Sequence, residues 1–559
     1  MDSKPWVAHY PQQVKEHLDY PNAALTELLR EAVEQYPNQK AIHFLGKTIT
    51  YAQLNDKVQR FASVLKSFGV KKGDRVALML PNCPQSVICY YGVLQIGGIV
   101  VQTNPLYMER ELLHQLNDSG AKVMVCLDLV YPKVKKVWEQ TKLKEVFVTG
   151  LQDFLPIPKN WLFPLIQKRK GMFVSIDYEQ ERCRHLQQLL KNAQPLIEQE
   201  EIDPQEDLAL LQYTGGTTGV AKGVMLTHRN LVANVIQAKA WFYKARYGAE
   251  KVLAVVPFFH VYGMTVGMNF SISIAGCLVM VPRFDIPLLL KAIHKQKPTI
   301  FPGAPTMYIG LLNHPGLKKY NISSIDACLS GSAALPIEVQ ENFESLTEGR
   351  LVEGYGLTEC SPVTHANPVW DRRKTGSIGL PWSDTEVRII HLETGEALAP
   401  GEYGELAVRG PQVMKGYWNR PEETKAVFQG DWLLTGDIAY MDQEGYFYIV
   451  DRKKDMINAS GFNVYPREVE EVLFEHKAVL EAAVVGVPDP YRGETVKAFI
   501  VLKEGAEVSS EELDEFCRKR LSAYKVPKYY EYRTELPKTM VGKVLRRMLI
   551  HDDDDNSES

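Results

Sequence analysis

The chain has 559 residues, 45% of them apolar and 24% charged, with a net charge of −4 at neutral pH. That length exceeds what one hydrophobic core organises, so several domains are expected. The slightly acidic balance argues against a nucleic-acid partner, and eight cysteines without a C-x-x-C pair argue for reduced thiols in a cytoplasmic protein over a disulfide frame or a zinc site.

The opening "MDSKPWVAHYPQQVKEHLDY" lacks the apolar run of a secretory signal. From Tyr51, "YAQLNDKVQRFASVLKSFG" spaces its apolar residues as one face of a helix does. Short β-branched runs at 75–80, 122–127, 251–256 and 277–281 alternate with helical patterns, the texture of parallel sheets covered on both faces. The longest apolar run, "SVICYYGVLQIGGIVV" from Ser86, is too short to span a bilayer and reads as a buried helix running into a strand. "NWLFPLIQKRKGMF" (160–173) sets bulky apolar residues beside Lys168, Arg169 and Lys170. It is expected as a surface loop packed on the large domain, with a peripheral membrane contact as the alternative.

After residue 375, turn glycines and short alternating strands suit an antiparallel, barrel-like subdomain. The charged run "DRKKD" (451–455) places a domain boundary near Asp451. Beyond it come a helix with Pro466 in its first turn, strands, and a helix opened by a capping box from Ser509 to Glu512. The tail "HDDDDNSES" is acidic and expected to be disordered. The expected organisation is an α/β N-terminal domain over 1–450 with two parallel-type sheets and a barrel-like part at about 375–450, a small mobile α+β domain over 451–550, and a tail over 551–559.

Four stretches carry chemistry. "YTGGTTGVAKG" (213–223) follows a strand-like run and precedes a helix with Thr227 at its N-cap. It is not a Walker A loop, because Ala221 precedes Lys222, and Gly223, without a hydroxyl, follows it. Its glycines, threonines and lysine still suit a phosphate cradle. In "VEGYGLTEC" (352–360), Tyr355 between glycines can lie flat on a planar ring, and Thr358 and Glu359 offer hard oxygen ligands for Mg²⁺. A turn with a satisfied glutamate is the plain alternative. In "WLLTGDIAYMDQEGYFYIVDRKKD" (432–455), Asp437 suits a ribose diol, and Arg452 suits ribose or phosphate oxygens. In "LPKTMVGKVLRR" (536–547), Lys543 follows Gly542 in a loop before a short basic helix.

In this order, with "GSAALP" (331–336) and "MKGYWNRPEET" between them, these stretches resemble the adenylate-forming superfamily, and most of all its bacterial long-chain fatty acid–CoA ligases. The resemblance covers essentially the whole chain. It implies acyl-adenylate formation from ATP and a fatty acid, followed by transfer to coenzyme A, with Mg²⁺ as cofactor. It assigns Thr214, Gly215, Gly216, Thr217, Thr218, Gly219 and Lys222 to the phosphates, Tyr213 to ATP or AMP binding, and Thr214 and Glu359 to the metal. Gly331, Ser332 and Ala333 would line one side of the adenine and Tyr355 the other, with Glu353, Gly354 and Gly356 around it. Thr358 would contact the α-phosphate, Asp437 the ribose, with Arg452 and Lys454 near, and Lys543 would bridge carboxylate and α-phosphate.

The resemblance further implies that the C-terminal domain turns about Asp451, swinging Lys543 out and the "NASGFN" loop, with Ser460 and Gly461, in to line the thiol tunnel. His260, Tyr262 and Gly263 would shape the acyl pocket; His260 is not needed as a base, since a fatty carboxylate is already ionised. The alternatives are a medium-chain or aryl-acid ligase on the same scaffold, a carrier-protein ligase, and a non-catalytic nucleotide-binding regulator. The last would tend to lose Lys543, Glu359 or Thr358, all of which are present. A homodimer is a further expectation.

Overall fold

The computed structural model describes residues 4–550 except 199, 215–220, 460–461, 490–492, 540–541 and 547. Among the described residues the strands form four sheets, of nine, eight, five and five strands. The helix expected from Tyr51 runs Tyr51–Ser67, opened by a Thr50–Gln53 capping box. The apolar run from Ser86 is the buried helix Pro84–Gln95 followed by the strand Ile99–Gln102.

The eight-stranded sheet is mainly parallel, with Arg75–Met79 flanked by Ile99–Gln102 and Val123–Leu127. The nine-stranded sheet sets Lys251–Ala254 between Cys277–Met280 and Ile300–Gly303, all parallel, and continues through Ala327–Ser330 to Arg350–Gly356. One large core joins the two sheets around the helices between them. All eight cysteines lie in cores as buried, free thiols.

The barrel-like expectation is corrected. Strands Glu386–Ile390, Gly404–Arg409, Trp432–Met441, Phe428–Gln429 and Phe447–Arg452 make an open antiparallel sheet that does not close on itself. Gly379 and Phe447 bridge its strand Phe447–Arg452 to the margin of the nine-stranded sheet. The last sheet belongs to the small α+β unit, where Val479–Asp489 and Gly493–Leu502 pair along their length and pack the helix Pro466–Phe474. Of the expected capping box at Ser509, the forward half is formed: its hydroxyl accepts from the Glu512 N–H.

The segment at 160–173 is also corrected. It is not a packed loop but the helix Lys159–Arg169, and most of its apolar side chains face outward. No helix among the described residues is long and apolar enough to cross a membrane. The acidic tail expected to be disordered lies outside the described residues.

Candidate active site

The stretch expected to cradle phosphate is framed by an antiparallel hairpin, Leu208–Thr214 against Lys222–Thr227, which sets Thr214 opposite Lys222. Gly215, Gly216, Thr217, Thr218 and Gly219 lie outside the described residues. A third strand, Gly416–Tyr417, adds to this hairpin. Its Tyr417 ring lies 5.1 Å beneath the Lys222 ammonium, and the Tyr417 hydroxyl donates to Glu359 Oε1 at 2.8 Å. Lys222 and Glu359 are thereby held on two sides of one ring, a cation–π contact and a hydrogen bond fixing both. Tyr213 is not brought to the loop: its buried ring turns away, and its hydroxyl donates to Asp118 at 2.7 Å. Thr214 and Glu359 supply hard oxygens, the donor chemistry that Mg²⁺ takes.

The residues expected around the base are positioned by the parallel pairing of Ala327–Ser330 with Arg350–Gly356. Both strands end at the same edge, so Gly331, Ser332 and Ala333 lie beside Tyr355. Ser332 adopts φ +73° and, like Ala333, is exposed at the cleft. A side chain at Gly356 would place its Cβ 2.0 Å from the Pro362 carbonyl oxygen, and one at Gly354 would meet Leu329 at 2.7 Å. Glycine on both sides is therefore what lets Tyr355 sit where it does. The Tyr355 hydroxyl donates to Asp437 Oδ2 at 2.5 Å, and Arg452 Nε donates to the other oxygen at 2.8 Å. Asp437 and Arg452 face each other because their strands pair antiparallel in that register. Glu353 is spent on structure: it is buried, accepts from the Leu335 N–H at 3.1 Å, and burial pushes its carboxyl up to about 7.

Lys543 arrives from the small domain. Its turn is closed by the Thr539 N–H donating to the Lys543 carbonyl at 2.8 Å, and Gly542 (φ +80°) nests so tightly on Thr306 that a Cβ there would lie 2.2 Å from its hydroxyl. The lysine keeps an open flank toward solvent, yet the protein around it and then the Arg452 charge lower its ammonium to about 8. Asp437 opposes that shift, so Lys543, Asp437 and Arg452 share one electrostatic neighbourhood. Lys454 stands in it too, 3.8 Å from Asp455. His260 is kept neutral, lowered to about 4 by burial and then by Lys543, and its Nδ1 accepts from the Tyr262 N–H at 3.3 Å. The Tyr262 hydroxyl is tied to the Leu329 carbonyl at 2.5 Å, beside Gly331. At Gly263 a Cβ would fall 2.4 Å from the Pro257 carbonyl oxygen, so this turn admits only glycine.

Asp451 is buried between the domains, one oxygen accepting from its neighbour's N–H at Arg452 and the other from the Arg467 N–H that opens the helix Pro466–Phe474, each at 2.7 Å. Burial pushes its carboxyl up to about 6, against the pull of Arg546. Ser460 and Gly461 of the expected thiol tunnel lie outside the described residues.

The glycine-flanked hairpin, the cleft beside Tyr355 and a lysine from the C-terminal unit stand in a chain that belongs to the AMP-binding enzyme family. The model of the AMP-binding enzymes matches residues 29–418, and that of their C-terminal domain matches 468–543. Among curated relatives, a "Long-chain-fatty-acid--CoA ligase" of Bacillus subtilis is 55% identical, over 99% of both chains. One of the same name from Escherichia coli O157:H7 is 42% identical, over 98% of each. Among solved structures, ATP-bound MatB from Rhodopseudomonas palustris superposes with a TM-score of 0.84 at 28% identity, over 95% of this chain and 99% of that one. The apo form of the same protein gives 0.75 at 29% identity, over 96% of this chain and 99% of that one.

Two contributors escaped the sequence reading. Tyr417 sits inside "MKGYWNRPEET", quoted only as a family match, and nothing in its spacing tells that it bonds Glu359. Thr306, at the start of the helix Pro305–Leu312, gives no sequence signal of being the seat for Gly542.

Proposed function

We propose that the protein ligates a long-chain fatty acid to coenzyme A through an acyl-adenylate, with ATP consumed and AMP and pyrophosphate released. The observation that carries this reading is Lys543 within electrostatic reach of the Asp437–Arg452 pair, in a chain whose curated relatives, matched over nearly their whole length, bear that activity's name.

In the first step a carboxylate oxygen forms a bond to the α-phosphorus while the bond to the bridging oxygen of pyrophosphate breaks. Negative charge grows on the α-phosphoryl oxygens, and in this reading the Lys543 ammonium and the Thr358 hydroxyl meet it. Asp437, fixed by Tyr355 and Arg452, takes the ribose diol; the Tyr355 face and the Gly331–Ala333 turn hold the base. Lys222 takes the departing phosphates. Mg²⁺ between Glu359 and Thr214 would add charge neutralisation there. In the second step the thiol sulfur attacks the acyl carbonyl and AMP leaves. The loop of Ser460 and Gly461 belongs to that arrangement, while Lys454 stays with Arg452 near the ribose.

Asp437→Ala is expected to raise the KM for ATP by about tenfold to a hundredfold, since it removes a charge-assisted contact to the ribose and leaves Arg452 unpaired. Initial rates against ATP concentration check this, and an unchanged KM would remove Asp437 from the ribose site.

Long-chain acids are expected to be the best substrates, about C12 to C18, with acetate and coumarate poor. Each buried methylene is worth about 0.8 kcal/mol, so kcat/KM should climb severalfold per two carbons until the pocket fills. AMP release measured from butyrate to stearate, at saturating ATP and CoA, tests it. A maximum at octanoate or shorter, or coumarate above palmitate, would favour the medium-chain or aryl-acid alternative.

A further inference from the structure

The segment 414–418 joins two of the stretches that carry chemistry. At one end the Met414 N–H donates to the Glu359 carbonyl at 2.7 Å; at the other the Trp418 N–H donates at 2.7 Å to the carbonyl of Gly223, the neighbour of Lys222. Between them the Lys415 N–H reaches the Met225 carbonyl at 3.0 Å, and Gly416–Tyr417 pairs with Met225 and Val224. Tyr417 is buried and locked in place. Its N–H donates to Thr424 Oγ1 at 2.9 Å, and Gly416, at φ +144°, lies so near that a Cβ there would meet Thr424 at 2.8 Å. Beyond it, Trp418 Nε1 donates to the Asp118 carbonyl at 3.1 Å.

This fixed ring touches two opposite charges. The Lys222 ammonium lies over its face, 5.1 Å from the centroid, and Glu359 Oε1 accepts from its hydroxyl at 2.8 Å. Unlike charges gathered at one side chain attract, and a contact ion pair would neutralise both. Among the described residues neither Lys222 nor Glu359 forms an ion pair. The ring gives each its own partner instead: the π face holds the ammonium, and the phenol hydrogen holds the carboxylate. Both groups are half-buried. A hard-oxygen donor and a fixed cation, held apart and uncompensated, are what Mg²⁺ and the phosphates it neutralises require.

We propose that Tyr417 is a positioning residue of the reaction: it fixes Glu359 so that the carboxylate meets Mg²⁺ in one orientation, and it keeps Lys222 from collapsing onto that carboxylate, free for the phosphates. The inference deepens the ligase reading above and rests on its placement of the metal at Glu359 and of the departing phosphates at Lys222. The anchors along 414–418 then have a purpose, because one short segment sets Glu359 by backbone and side chain and holds the hairpin strand that carries Lys222. The two contacts use different parts of one ring, so substitution separates them. Phenylalanine keeps the face and loses the hydroxyl; alanine loses both.

The test is calorimetric titration of the full chain with ATP, without fatty acid or CoA, once in EDTA and once with saturating Mg²⁺. In wild type, Mg²⁺ is expected to tighten ATP binding. Tyr417→Phe should shrink that Mg²⁺-dependent gain about tenfold, the scale of one hydrogen bond to a charged group, and leave the affinity in EDTA unchanged. Tyr417→Ala should weaken binding in EDTA as well, because Lys222 is then free to pair with Glu359. In a Glu359→Gln background, adding Tyr417→Phe should change neither affinity, the sign that the tyrosine acts through that carboxylate. No Mg²⁺ gain in wild type, or an unaltered gain in Tyr417→Phe, would overturn the proposal. So would the same loss with and without metal, which is what lost packing alone predicts, or the same loss in the Glu359→Gln background. ATP binding here involves no turnover, so a failure of AMP release with every acid would end the ligase reading and leave this result standing.

Discussion

Lys543→Ala is expected to lower acyl-adenylate formation about a thousandfold or more, while thioester formation from supplied acyl-adenylate stays largely intact. One fixed cation at a phosphoryl group that gains charge is worth several kcal/mol in the transition state, and that charge develops only in the first step. The structure adds a pH signature. The Lys543 ammonium is lowered to about 8, and the charged form is the competent one. Its contribution is complete well below that value and is lost as pH rises through it. The kcat/KM of adenylation should therefore fall on the alkaline side with a midpoint near 8. Thiolation should rise over the same range, because more of the attacking thiol is ionised. Equal loss in both half-reactions, or an alkaline limb that persists in the alanine variant, would take Lys543 out of this role.

Asp451→Pro is expected to leave one half-reaction working and to reduce the other by more than about a hundredfold. Proline fixes φ near −65° and lacks an N–H, so a pivot that must change φ cannot turn. In this structure the Asp451 carboxylate also ties the large domain's last strand to the first turn of Pro466–Phe474. Asp451→Ala is the needed control: it drops that tie but leaves the backbone free, and both half-reactions should persist. Adenylation followed by pyrophosphate release and thiolation of supplied adenylate, measured separately on the two variants, decide it. Near-wild-type turnover by the proline variant would place the pivot elsewhere.

Periodicity was enough to locate the helix Tyr51–Ser67, the buried helix Pro84–Gln95 and the strands at 75, 123, 251 and 277, because each must bury a continuous apolar face. It did not tell an open sheet from a barrel after 375, since closure depends on which edge strands meet and not on their alternation. The helix Lys159–Arg169 was misread for a related reason. It is apolar around most of its circumference, a pattern that ordinarily means burial on all sides, and the sequence does not state that Gln167 is its one fully buried side chain while Trp161, Leu162, Leu165 and Ile166 are exposed. The residue types of the site were legible, but their convergence was not. Asp437 and Arg452 meet through strand register, Tyr355 reaches them from 82 residues away, and Lys543 comes from another domain. Only the resemblance put these residues in one place beforehand. Tyr213 shows the opposite failure, a motif residue whose side chain serves the neighbouring core.

The burial of all eight cysteines has a meaning for a protein that makes a mixed anhydride. Acyl-adenylates acylate thiolates readily, and an accessible thiolate on the enzyme's own surface would compete with the incoming substrate. Burial raises every one of these thiols, Cys277 to about 11 and Cys83 to about 12. A thiol held protonated inside a core is a poor nucleophile even when the reagent is generated in the same molecule. The enzyme is thus chemically deaf to its own intermediate, and the only sulfur left to hear it is the one that enters with coenzyme A.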